Sequence, residues 1–421
     1  MSAPHAGRLG ALAAGFAVLF VATGVNFSFG ILFKPILEGL GIDRSTLALA
    51  ATASLLVNAA GQPVFGVLVD RFGPRRVILA SMALMTVGTA LASRVDGPWQ
   101  FIALYGVVAA VGYTGCGILP VSVHVSRWFP EERGFVTAVA ACGFSLGHLA
   151  LTQLAARTVI VVGWRHTYVL LAAVLAASLV VFAFALRDAP GPASGAGAGN
   201  GARRRTPAAQ DPAGPSLDRR AALATPAFWA MTVGLMGCGF TDFLMTTHLA
   251  AYATDLGMTP AVAANAVSLW AGANVLGILV AGTVAASIDT RTALVLTYGL
   301  RAAALFYLPI VREPWQLYLF AGLFGATFFT TAPLSSTLVG QLFGPAHHGA
   351  IFGASSLFHH SAGALGSYAG GLVFDATGSY RPIFLLAALV VVGSACVTSL
   401  ARRRGSITEQ SRPRPPDRAK S

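Results

Sequence analysis

Charge is scarce in this sequence, and lysine is almost absent. Asp, Glu, Lys and Arg together make up 10% of 421 residues, and the two lysines are Lys34 and Lys420. A soluble domain carries about 25% charged residues, so one large water-solvated globule is excluded. The four cysteines, Cys116, Cys142, Cys238 and Cys396, all fall in apolar runs. None has metal-ligand spacing and none suggests a disulfide framework, so they read as small packing residues and no metal is expected. No nucleophile elbow, phosphate loop or nucleotide motif is found on a soluble scaffold. An enzyme is therefore not expected, no cofactor is implied, and any transport would draw on gradients and not on ATP. The first apolar run, Gly10–Phe33, is too long for a signal-peptide core and has no clear cleavage site, so it reads as a membrane span.

What is present is apolar sequence, 55% of the chain, gathered into runs near 20 residues that hold few charges. Runs of that kind predict an all-α, polytopic membrane protein. Twelve spans are expected, at roughly 10–33, 47–69, 77–94, 100–124, 134–157, 165–186, 227–252, 261–286, 292–310, 315–339, 349–374 and 380–400. Residues 187–225 differ: they are rich in Gly, Ala and Pro, carry Arg203-Arg204-Arg205, and show no apolar periodicity. They read as a disordered linker, which divides the chain into a six-helix half at 1–186 and another at 226–400, followed by a basic tail at 401–421.

The formal net charge of +12 does not point to nucleic acid. Most of the excess is arginine at helix ends, concentrated in alternate loops, and that asymmetry puts both termini in the cytoplasm. The abundance of Ala, Gly and Arg with so little lysine fits a GC-rich bacterial genome, hence a bacterial cytoplasmic membrane. The two halves also repeat. A single offset pairs Leu40-Gly41 with Leu256-Gly257, Asn58 with Asn274, Gly61 with Gly277, Gly66 with Gly282, and Arg75 with Arg291. Nearly the same offset pairs Pro130 with Pro345 and Gly134 with Gly349. A duplicated six-helix unit follows.

Between the second and third spans lies Gly66-Val67-Leu68-Val69-Asp70-Arg71-Phe72-Gly73-Pro74-Arg75-Arg76. A helix ends in Asp-Arg, turns on Gly-Pro and restarts beside Arg-Arg. This pattern resembles the signature loop of major facilitator superfamily transporters. The resemblance implies two pseudo-symmetric six-helix bundles with a substrate site near the bilayer midplane. It also implies a gating role for Gly66, Asp70, Arg71, Gly73, Arg75 and Arg76, with the Asp and Arg clamping helix ends across the halves when the cytoplasmic side is closed. The second half keeps only a degraded copy, with Ala286-Ser287 opposite Asp70-Arg71.

Further stretches are similar to the bacterial branch of the monocarboxylate-porter family, which includes oxalate–formate exchangers. They are Ser28-Phe29-Gly30, Trp128–Gly134, Gly163-Trp164-Arg165, His248-Leu249 with Tyr252–Gly257, and His359 with Gly363–Gly366 and Gly370–Tyr380. That likeness implies transport of small organic anions. Two cations usual in relatives are missing, however: Phe27 stands where animal members have a lysine, and Ile278 where many have an arginine.

Polar residues inside spans are costly and usually functional. Asp242 is the one acid placed within a span, and a carboxyl there can take up and release a proton, which makes it the proton-coupling candidate. Its repeat partner is Asn26 in the first span. Tyr113 in the fourth span, Asn274 in the eighth, Arg301 in the ninth, and His359 and His360 in the eleventh complete the substrate-binding candidates. Arg301 lies on a span expected in the outer ring, where pairing inside the helix bundle competes with a substrate role. Asn58, Tyr105, His148 and His248 are weaker candidates, each more often a helix-packing hydrogen-bonder. Gly143-x-x-x-Gly147 and Gly366-x-x-x-Gly370 read as packing motifs. The sequence thus predicts a monomeric secondary transporter of mono- or dicarboxylates, working by alternating access with proton coupling. Efflux of amphipathic compounds is the alternative within transport, favoured by the missing cations and the phenylalanines. A non-transporting membrane sensor is the alternative outside it.

Overall fold

In the computed structural model, residues 3–129, 132–188, 219–344 and 347–401 are described. The central linker residues 189–218 and the tail residues 402–421, read above as disordered, lie outside them, as do Pro130 and Pro345 of the repeat. Among the described residues every regular element is helical. Ten helices are long and apolar enough to cross a membrane. One of these holds two crossings: Arg133–Ala185 runs through Gly163, whose φ of 76° breaks the helical path. That left-handed conformation suits glycine, which has no Cβ to clash, so the fifth span turns into the sixth at one residue. The helix His348–Thr377 adds the eleventh crossing, and the total is twelve.

Local sequence marks the ends. Proline opens the third, seventh and tenth spans at Pro74, Pro226 and Pro314, where its missing N–H costs no helical bond. The second span, Arg44–Phe72, stops at Gly73 with φ 83°. Three spans are discontinuous. In the first, Ser28 divides Ala3–Phe27 from Phe29–Leu40, with its own backbone still in the helical region. The fourth holds a π-helical stretch, Ile102–Ala109, and parts again between Ala110–Gly115 and Ile118–Trp128. The tenth parts between Pro314–Thr327 and Thr331–Phe343.

Each half packs through small residues, because lipid supplies little hydrophobic drive between helices and close backbone contact must replace it. A Cβ on Gly143 or Gly147 of the fifth span would strike the Phe16 or Phe20 carbonyl of the first. In the other half, a Cβ on Gly366 of the eleventh span would strike the Phe240 carbonyl of the seventh, Pro226–Asp255. The same helix pair is therefore sealed the same way in both repeats. Apolar side chains such as Phe184, Leu276, Leu365 and Leu389 point outward, as a lipid-facing surface requires.

Candidate functional site

The candidate residues lie on helices of both halves, and they sort into those that are partly exposed and those already bonded. Asn26 and Tyr113 are half-buried. The Asn26 carbonyl accepts from Tyr105 Oη at 3.1 Å, which holds the first and fourth spans together. Its amide makes no bond among the described residues. Tyr113 packs against the main apolar cluster of the N-terminal half and against a second cluster that includes Phe27 and Phe144.

His359 and His360 are also half-buried, on the eleventh span beside Phe243. Their rings are 5.2 Å apart. His359 Nδ1 meets the Leu235 carbonyl at 3.0 Å, and His360 Nδ1 meets the Ser356 carbonyl at 2.8 Å. A carbonyl only accepts, so both Nδ1 atoms carry the hydrogen, and both Nε2 atoms keep a lone pair when the ring is neutral. Two such nitrogens can receive a hydrogen from a substrate, or a proton.

Asp242 and Arg301, whose proximity the sequence leaves open, form an ion pair. Arg301 Nη1 donates to Asp242 Oδ1 at 2.7 Å. Cys238 Sγ donates to the other carboxylate oxygen at 3.1 Å. Arg301 is 0% exposed and Asp242 5%. The rest of the guanidinium closes the break in the tenth span. Nε donates to Thr327 Oγ1 at 3.2 Å, while Nη2 donates to the Thr327 carbonyl and to the Phe328 carbonyl, the latter at 3.0 Å. A helix that stops leaves carbonyls unpaired, and Arg301 supplies their donors from the ninth span. With its donors engaged inside the C-terminal half, Arg301 does not reach the space between the halves as a substrate ligand would.

Asn274 is likewise occupied. Its Oδ1 accepts from the Phe329 N–H at 2.9 Å, and its Nδ2 donates across the halves to Ser145 Oγ at 2.8 Å. One asparagine caps the broken tenth span and ties the eighth to the fifth. Its repeat partner Asn58 reaches Thr114 Oγ1 beside the break in the fourth span, at 3.3 Å. Phe27, at the place of the missing lysine, packs on Phe144 and His148 of the fifth span.

Among the described residues, the cross-half hydrogen bonds are strongly one-sided. Toward the end remote from Gly73, Lys34 Nζ contacts Asp255 at 2.9 Å and Arg44 contacts it at 2.7 Å. The Arg44 and Ser45 backbone N–H groups donate to the Asp375 carboxylate at 3.2 and 2.8 Å. Arg44 Nη1 donates to Tyr380 Oη at 2.7 Å, and its guanidinium lies 3.6 Å from the Phe374 ring centre. Thr52 reaches the Ala364 carbonyl, and Gln153 reaches Asn265 and Ser268. Toward the other end, Asp70, Arg71 and Arg76 are exposed. Arg75 donates to the Ala183 carbonyl of its own half at 3.0 Å. Among the described residues, the Gly66–Arg76 loop makes no hydrogen bond to the C-terminal half.

Lys34, Arg44, Asp255 and Asp375 are absent from the sequence-derived site. A usable signal was present: both cations flank the connection between the first and second spans, and both acids stand near the ends of spans in the other half.

The profile of the Major Facilitator Superfamily matches residues 15–312 and 244–420. An uncharacterised MFS-type transporter of Bacillus subtilis, YcxA, is 25% identical over 410 residues, covering 91% of this chain and 94% of its own. The oxalate:formate antiporter of Oxalobacter formigenes is 25% identical over 254 residues, covering 60% of this chain and 57% of its own. Monocarboxylate transporter 13 of Bos taurus is 25% identical, covering 90% and 85%. Among solved structures, a bacterial homolog of the human lysosomal transporter Spinster, inward-facing and occupied, superposes with a TM-score of 0.72 at 13% identity, covering 93% of this chain and 96% of that one.

Proposed function

The chain belongs to the major facilitator superfamily, and from that premise we propose that it carries a small organic anion, a mono- or dicarboxylate, together with a proton by alternating access. The relatives that transport monocarboxylates or exchange oxalate for formate support the substrate class. The observation that carries the coupling is the paired orientation of His359 and His360. Each is held by an Nδ1–H bond to a carbonyl, so a neutral ring offers a carboxylate only a lone pair, which repels it. Once protonated at Nε2, the ring offers a donor and a charge. An anion and a proton therefore favour each other at this site. Asn26 and Tyr113 supply further donors from the N-terminal half.

The Asp242–Arg301 pair adds to this coupling. His359 sits in the field of both groups. While paired they nearly cancel, and a proton on Asp242 would leave Arg301 as a net cation beside the site. Asp242 is thus a second protonation site.

The one-sided distribution of cross-half bonds among the described residues supports alternating access, since a gated pathway needs one end joined more firmly than the other. The basic loops orient the Gly66–Arg76 end, with both termini, toward the cytoplasm of a bacterial cell. The protein acts as a monomer, because one chain supplies both halves of the site.

A thermal-shift series with small carboxylates, run at acidic and alkaline pH, tests this reading. A ligand that binds the folded state alone raises its stability. Stabilisation by carboxylates should grow as pH falls through the histidine range, about 8 to 5, and should be lost in His359→Gln. Stabilisation by lipophilic cations, with none by carboxylates, would select amphipathic efflux instead.

A further inference from the structure

At the joined end, the charged cluster is completed by a histidine that has no place in the transport site. His248, in the seventh span, is 0% exposed. Its Nε2 lies 2.8 Å from the Ser367 carbonyl and its Nδ1 lies 3.0 Å from Tyr380 Oη. The carbonyl requires a hydrogen on Nε2. Tyr380 Oη already accepts from Arg44 Nη1, so its own hydrogen is directed at His248 Nδ1. The result is a one-way chain: Arg44 donates to Tyr380, Tyr380 to His248, and His248 to the Ser367 carbonyl. It crosses from the second span of one half to the twelfth, seventh and eleventh of the other. This chain works with one proton on the imidazole. A second proton, on Nδ1, would face the Tyr380 hydroxyl donor to donor.

The charges point the same way. The groups around His248 are Phe33 from the first span, Tyr380 from the start of the twelfth, and Ser367 from the eleventh, with Arg44 and Asp375 acting on it through space. Lys34 and Asp255 complete the cluster through Arg44. Two cations and two carboxylates sum to zero, and both carboxylates already have partners. A charged His248 would be an uncompensated ion in a dry pocket, which is strongly disfavoured.

We propose that His248 is a proton-sensitive pin in this end's latch. The latch closes over a singly protonated imidazole, and acid on that side holds it open. This rests on the alternating-access reading, in which the latch must open once per cycle and expose His248 to water. Because closure requires the neutral ring, His248 does not carry the transported proton inward. It makes the return of the empty or loaded transporter depend on the pH outside.

The test is a spin-label distance measurement across the latch on the purified full chain. Labels are placed at Glu38→Cys and Thr377→Cys, both exposed and on opposite halves, with Cys142 and Cys396 replaced by serine. Lowering the pH from about 8 to about 5.5, the range over which histidine titrates, should shift the population toward longer distances. The shift should vanish in His248→Gln, whose amide can still donate to Ser367 and accept from Tyr380. It should weaken in Tyr380→Phe, which removes the opposing hydroxyl. Asp255→Asn, which breaks the latch itself, should lengthen the distance at every pH. An acid shift that persists in His248→Gln overturns the proposal and assigns the effect to the carboxylates. No acid shift in the parent, with opening in Asp255→Asn, overturns the pin and leaves the latch standing. No opening even in Asp255→Asn defeats the latch reading, and the pin with it.

Discussion

Asp242 shows how much a single residue's meaning depends on its partner. The sequence marks it as the acid inside a span, and intramembrane acids are seldom idle. The structure gives it Arg301 and Cys238, and gives Arg301 the open carbonyls of the tenth span. Removing one member of a buried pair leaves the other uncompensated, at a cost of about 3–5 kcal/mol. Asp242→Asn should therefore lower the unfolding temperature of the detergent-solubilised protein. Arg301→Met should lower it further, because it strands the Asp242 carboxylate and also leaves the Thr327 and Phe328 carbonyls without their donors. Equal temperatures for Asp242→Asn and the parent would show that the carboxyl is already neutral in the resting protein. The pairing was not legible in the sequence, since nothing in a linear order reveals that the ninth span reaches past its neighbour to the seventh. His359 and His360 were legible as candidates. Their shared tautomer, on which the coupling argument depends, needed the positions of two carbonyls.

At the scale of the element, helix boundaries were readable because Pro, Gly and charge punctuate this chain so regularly. Gly143, Gly147 and Gly366 of the Gly-x-x-x-Gly motifs likewise lie against neighbouring backbone, while Gly370 lies against the side chains of His248 and Leu244. The breaks inside the first, fourth and tenth spans were not readable, because the apolar runs continue on both sides of them and no proline sits at 328–330. Those in the fourth and tenth spans meet side chains from other helices, Asn58 at the one and Arg301 with Asn274 at the other. Asn274, a substrate candidate in the sequence, is in fact the cap of the tenth-span break and a tie to Ser145. Asn274→Leu should cost about 1–3 kcal/mol, the penalty for a buried N–H left unpaired, and should be visible as a lower unfolding temperature. An unchanged temperature would mean that the break finds another acceptor. Gly147→Val should be worse tolerated than Gly10→Val, since a side chain at Gly147 meets the Phe20 backbone while Gly10 faces open space. Expression and monodispersity in detergent measure that difference.

For the molecule as a whole, the duplicated halves were visible from one recurring offset, but the asymmetry between their two ends was not. The Gly66–Arg76 loop announces a gate at one end. The structure places the engaged cross-half contacts at the other, built from Lys34, Arg44, Asp255 and Asp375. Short charged motifs can be recognised locally, whereas a cluster drawn from four span ends becomes apparent only once the helices are assembled. In the alternating-access account, Asp70 acts when its own end closes. Asp70→Asn should slow transport while leaving ligand affinity nearly unchanged, and a large loss of affinity without a change in rate would count against that role. The account stands most directly on uptake of labelled formate, oxalate and lactate into proteoliposomes, with an imposed gradient acidic outside. It predicts accumulation of at least one of these anions that follows the gradient, collapses with a protonophore, and is lost in His359→Gln. Uptake indifferent to the gradient, or a gradient response that His359→Gln leaves intact, would contradict it.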